Sequence, residues 1–151
     1  MAAAESLSVE EQLARARDAR EQRAKAASDR AARRELEALT LEAEFEQKTG
    51  GSRYDPAEPA RGGAFAIVNF GDDVDLVVLT LVDGAEVLLK RLQKSNVERG
   101  DISTFVIKHV AHPDPEKFRE AAIKRPMMWD SCLTHLMRLY GLREADLTKK
   151  A

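Results

Sequence analysis

The sequence predicts an α+β protein: a long N-terminal helix, a small antiparallel β-meander and a C-terminal three-helix segment. Three observations carry this. Residues 9–48 run without a glycine or proline and are dominated by Ala, Arg, Glu and Leu, all good helix formers. Two β-branched, apolar runs at 64–70 and 75–82 flank a Gly-Asp-Asp turn, the pattern of paired strands. Residues 101–142 then repeat apolar side chains at helical spacing between prolines. The chain accordingly divides into an extended helical arm (1–49), a flexible linker (50–63), a compact body (64–142) and a polar tail (143–151).

The arm opens on a capping box. Ser8 can accept a free backbone N–H of the first turn, and Glu11 can reach back to the cap. Gly50 is placed to take the left-handed conformation that ends a helix. At 1.5 Å per residue such an arm is about 60 Å long. Its large apolar residues are concentrated at Leu36, Leu39, Leu41 and Phe45. Arg15, Arg17, Arg20, Arg23, Arg30, Arg33 and Arg34 occupy much of the rest. Heptad seams fail because arginines fall where apolar residues are needed. The arm therefore reads as a solvated helix docking through its Leu-rich end, or as a helix that anneals to partner subunits. Asp18, Glu21 and Asp29 dilute the basic face, which argues against nucleic acid as the partner.

The linker contains Gly50, Gly51, Pro56, Pro59, Gly62 and Gly63. Its Gly-Gly pairs lack the strand-then-helix setting of a phosphate loop, so no nucleotide site is expected. In the first strand Phe65 and Ile67 share a face, and the second strand is more deeply buried. Asp83-Gly84 signals a two-residue hairpin that returns residues 86–92 as a third strand, although Val87, Leu88, Arg91 and Leu92 also fit a helix. Asp72, Asp73 and Asp75 are turn residues, since the glycine and glutamate of a calcium loop are missing.

Three helices follow. Asp101 is an N-cap candidate, and Ile102, Phe105, Val106, His109 and Val110 form one apolar face. Pro113 ends this helix. Asp114-Pro115-Glu116 opens the next with a cap, a first-turn proline and an early acid. Phe118, Ala121 and Ala122 form its inner stripe. Pro126 breaks the chain again. The last helix presents Met128, Cys132, Leu136 and Leu139 on one face, flanked by Trp129, Leu133 and Tyr140, and closes at Gly141.

Composition narrows the function. The 151 residues hold 24 Lys and Arg against 26 Asp and Glu, a net charge of −2. Bulk electrostatics gives no drive toward nucleic acid or an anionic membrane. A single cysteine makes no internal disulfide, which reads as a reducing compartment. The first residues lack the apolar stretch of a signal peptide, and no apolar run approaches the roughly 20 residues of a membrane span. The expected location is cytoplasmic.

Chemistry is sparse. His109-x-x-His112 and Cys132-x-x-His135, with 19 residues between the pairs, have the spacing of zinc ligands. Against a metal, His109 also completes an apolar stripe, and only one thiolate is available. No metal or other cofactor is expected. Cys132 sits on an apolar face, where a thiol behaves as a small hydrophobe. No nucleophile elbow or carboxylate pair in an apolar setting is present, so no enzyme activity is expected. Met127-Met128-Trp129 reads either as core or as an adaptable partner-binding knob.

Residues 105–141 resemble the C-terminal part of small tail assembly chaperones of tailed bacteriophages. The features that carry the resemblance are His109-Val110-Ala111-His112-Pro113, Asp114-Pro115-Glu116-Lys117-Phe118, Lys124-Arg125-Pro126 and Leu139-Tyr140-Gly141. The Arg/Ala-rich arm departs from that pattern. The resemblance implies a non-enzymatic protein. It would bind the tape measure protein, or another tail protein, in the host cytoplasm and keep its apolar helices soluble. An oligomeric adaptor of a phage particle and a zinc-dependent binding module are the competing readings. A body of about 80 residues has a small core that a homo-oligomer or a bound partner would extend. The expected contact residues are Trp129 and Met127 of the body, assisted by Leu36, Leu39 and Phe45 of the arm.

Overall fold

The computed structural model describes residues 7–58, 62–93 and 97–141. The polar tail, the N-terminal residues read for a signal peptide and linker positions 59–61 lie outside the described residues. In chain order the elements are α1 (Val9–Thr49), β1 (Phe65–Val68), β2 (Val77–Thr80), α2 (Glu86–Leu92), α3 (Arg99–His109), β3 (Val110–His112), α4 (Pro115–Lys124) and α5 (Met127–Leu139). This is the α+β arrangement read from the sequence.

Helix α1 begins where the capping box places it, with Ser8 Oγ accepting from Glu11 N–H at 3.2 Å. It ends at Gly50, whose φ of 70° is the left-handed conformation that glycine adopts without steric cost. The chain separates into two compact units between Leu36 and Glu37, within α1. The separation expected at the linker is therefore corrected. From Glu37 onward α1 belongs to the same unit as the sheet. Phe45 is buried there, its ring centroid 6.0 Å from that of Phe65, and Ala38 and Leu41 pack beside it.

The sheet is antiparallel with order β1-β2-β3. Phe65 pairs with Thr80 and Val68 with Val77. Val78 pairs with His112 and Leu79 with Val110, with a register shift between Val78 and Leu79. Alternation sends the side chains to two faces. Phe65, Ile67 and Val78 meet Phe45 on one face. Ala66, Val68, Val77 and Leu79 meet Phe105, Val106, Met128, Cys132 and Leu136 on the other. Burial on both faces explains why the strands read as continuous apolar runs rather than alternating ones.

The third strand differs from expectation. Asp83-Gly84 does turn the chain, with Gly84 at φ 78°, but residues 86–92 continue as helix α2. Leu88 and Leu89 pack at the edge of the core and Leu92 is buried in it, a helical spacing. The place beside β2 is filled by residues 110–112 instead. The start of α3 also shifts. The helix opens at Arg99, so Asp101 serves as the third-position acid of a capping box, its Oδ2 accepting from Glu98 N–H at 3.3 Å. Helix α4 starts as expected, with Asp114 Oδ1 accepting from Glu116 N–H at 3.2 Å. Among the described residues no helix is long and apolar enough to cross a membrane.

Candidate functional site

The junction of α4 and α5 carries the largest apolar exposure of the C-terminal helices. Helix α4 turns Phe118 and Ala122 into the core. Ile123, one residue on, falls off that stripe and is 70% exposed. Pro126 then restarts the chain, and Met127 is 69% exposed at the first position of α5. Met128, its neighbour, is fully buried. Two large apolar side chains four positions apart thus stand in solvent on either side of the proline break.

Arg125 anchors this break to the sheet. Its guanidinium donates to Phe70 O at 3.2 Å and lies 3.6 Å from an Asp73 carboxylate oxygen. The Lys124-Arg125-Pro126 step therefore ties the start of α5 to the turn after β1. The pair with Asp73 is largely exposed and contributes little energy by itself. Its contribution is geometric, since it fixes where Met127 emerges.

The expected contact residues divide. Met127 is exposed, as a contact residue must be. Trp129 is corrected: it is 9% exposed and packs edge-to-face on Phe118 at 5.2 Å between ring centroids. It fills the core because α5 places it one step from Met128, on the side that meets α4. Phe45 is likewise corrected, since it closes the second face of the sheet. Leu36 and Leu39 are both exposed on α1. Ile123 was not anticipated, although its position just outside the Phe118–Ala122 stripe is a signal that helical periodicity contains.

The four zinc-spaced residues are not gathered into one ligand set. His109 is fully buried and committed at both ring nitrogens: Nδ1 lies 2.7 Å from Phe105 O and Nε2 lies 2.6 Å from Tyr140 Oη. Burial keeps its imidazole neutral by lowering its pKa. His112 sits on β3, paired with Val78. Cys132 is buried among apolar side chains, and that burial pushes its thiol up to about 12, so no thiolate forms near neutral pH. His135 lies on α5 with its pKa lowered first by burial and then by Arg138. Among the described residues no three His, Cys, Asp or Glu side chains are grouped to hold a metal ion.

Comparison of the chain with protein-family models, with curated proteins and with solved structures finds no match.

Proposed function

We propose that the protein is a non-enzymatic chaperone that holds apolar helical segments of a tail protein, in the first instance a tape measure protein, in the host cytoplasm until the tail assembles. The observation that carries this reading is the exposed pair Ile123 and Met127 at the α4–α5 junction. A methionine adapts its unbranched side chain to different partner surfaces, and an amphipathic helix presents apolar anchors at spacings of three and four residues that such a pair can meet. The resemblance of residues 105–141 to tail assembly chaperones supports the choice of partner. Its Lys-Arg-Pro step coincides with the break that exposes Met127. Leu39 extends the same chemistry onto α1.

Co-expression with a long, aggregation-prone helical tail protein from the same genome tests the proposal. A soluble complex forms with the wild-type chain. The double variant Ile123→Asp, Met127→Asp keeps the wild-type melt, because both side chains are exposed, and loses the complex. Failure of the wild-type chain to raise the partner's solubility overturns the reading.

A further inference from the structure

A cleft of ≈ 410 Å³ opens beside β1. Residues 52–54 pair with the start of that strand: Ala64 N–H donates to Ser52 O at 2.8 Å, Tyr54 N–H donates to Phe65 O at 2.7 Å, and Arg53 forms a parallel bridge with Phe65. The cleft lies next to this pairing. Ala66 and Ile67 contribute its apolar lining, Glu42 reaches it from α1, His135 from α5, and Arg53 and Tyr54 from the loop.

Two features set this cleft apart. Among the described residues only two side chains leave a buried polar atom without a hydrogen-bond partner, Tyr54 at Oη and His135 at Nδ1. Both residues line this one cleft. Tyr54 is 4% exposed, so bulk water does not satisfy its hydroxyl, and native proteins seldom leave such groups unmatched. The second feature is charge. Glu42 and Arg53, both half-buried residues, line the cleft, yet among the described residues neither forms an ion pair, with each other or with a third group. Asp55, at the exposed rim, already accepts from Ala57 N–H at 2.9 Å.

Ordered water can satisfy a hydroxyl and an imidazole and hydrate the two half-buried charges, but it offers neither charge an ionic partner. A simple anion would meet Glu42 and Asp55, and a simple cation would meet Arg53. A compact ligand carrying both signs meets neither objection. The volume falls within the range of about 300–1,000 Å³ usual for small-molecule sites. We propose that the cleft binds a small zwitterion of the α-amino-acid type. Its carboxylate pairs with Arg53, its ammonium pairs with Glu42, and Tyr54 Oη and His135 Nδ1 complete its hydrogen bonds over the apolar lining of Ala66 and Ile67. His135, kept neutral by its burial, is free to donate or accept at Nδ1 according to its tautomer.

The test is an NMR titration of the full ¹⁵N-labelled chain with the common L-α-amino acids, each taken singly to about 10 mM. At least one amino acid should give saturable amide shifts centred on residues 53–56, 66–67 and 135, with a Kd below about 1 mM. Acetate and methylamine, each carrying one of the two charges, bind at least about tenfold more weakly. Tyr54→Phe melts no lower than wild type without ligand, because it removes an unpartnered hydroxyl rather than a made bond, and it weakens amino-acid binding at least about tenfold. Glu42→Gln weakens it similarly. The proposal is overturned if no amino acid gives saturable shifts at these residues, if acetate or methylamine binds as tightly, or if Tyr54→Phe binds unchanged or melts lower than wild type.

Discussion

Tyr140 Oη stands 2.6 Å from His109 Nε2, 31 residues away in the chain. The opposite ring nitrogen, Nδ1, faces the Phe105 carbonyl at 2.7 Å. A carbonyl only accepts, so Nδ1 carries a proton, and in the neutral imidazole that burial favours, Nε2 accepts from the tyrosine hydroxyl. Val82 N–H lies 3.5 Å from the same hydroxyl oxygen. The contact joins the end of α5, the last turn of α3 and the chain leaving β2, around an imidazole whose pKa burial lowers.

Acidification should therefore destabilise the protein. Burial lowers the pKa of His109 and of His135 in the folded state, while in the unfolded chain each titrates near about 6.5. Below that pH the unfolded state binds more protons, so this contribution is fully present above about 6.5 and is lost as pH falls toward the folded pKa values. Urea melts at pH 7.5 and 5.5 check this, with the lower midpoint expected at pH 5.5. Tyr140→Phe leaves His109 Nε2 without its donor and should cost about 1–3 kcal/mol at pH 7.5.

Phe45 should behave as a core residue although it lies on the N-terminal helix. It is buried against Phe65, and replacing a buried Phe by Ala costs about 3–5 kcal/mol. Phe45→Ala should show that loss by chemical denaturation, and a chain starting at Gly62 should be at least as unstable. A wild-type melt for either would mean that residues 37–49 contribute no core.

Trp129 and Met127, two positions apart, should separate stability from binding. Trp129→Ala opens the contact with Phe118 and should cost about 3 kcal/mol or more. Met127→Asp changes an exposed side chain and should stay within about 0.5 kcal/mol of wild type, while weakening capture of the helical partner. Thermal melts and co-purification on the same two variants measure both effects.

The Cys132 thiol should be inert in the folded protein. With its pKa pushed up to about 12 by burial, a disulfide reagent at pH 8 should leave it unmodified over hours and label it within minutes in denaturant. The same preparation should contain no stoichiometric zinc by elemental analysis, and a chelator should leave its melt unchanged. One zinc per chain, lost in Cys132→Ser, would restore the metal-binding reading.

Local chemistry made much of this fold legible. The Ser8 cap and Gly50 stop bound α1, Asp114-Pro115 opens α4, and Pro126 starts α5. Each is a backbone requirement met by a few neighbouring residues. The inward faces of α3 and α5 were equally readable, because a 3.6-residue period is internal to a helix. The candidate cleft was not readable. Glu42, Arg53, Tyr54 and His135 come from separate segments, and no spacing in the chain announces that they meet.

Tertiary structure decided what depends on a neighbour. Residues 86–92 fit helix and strand alike, and the outcome followed from which segment occupied the edge of β2: residues 110–112 did, with Val110 opposite Leu79. Exposure of Phe45 and Trp129 was undecidable for the same reason. An aromatic side chain on a helix is a binding anchor or a core residue according to whether another element covers it, and Phe65 covers one while Phe118 covers the other. Hydrogen-bonded caps and turns act over a few residues and are written locally. Burial of apolar area is a property of pairs of surfaces brought together from distant parts of the chain, so it is settled only when the chain has packed.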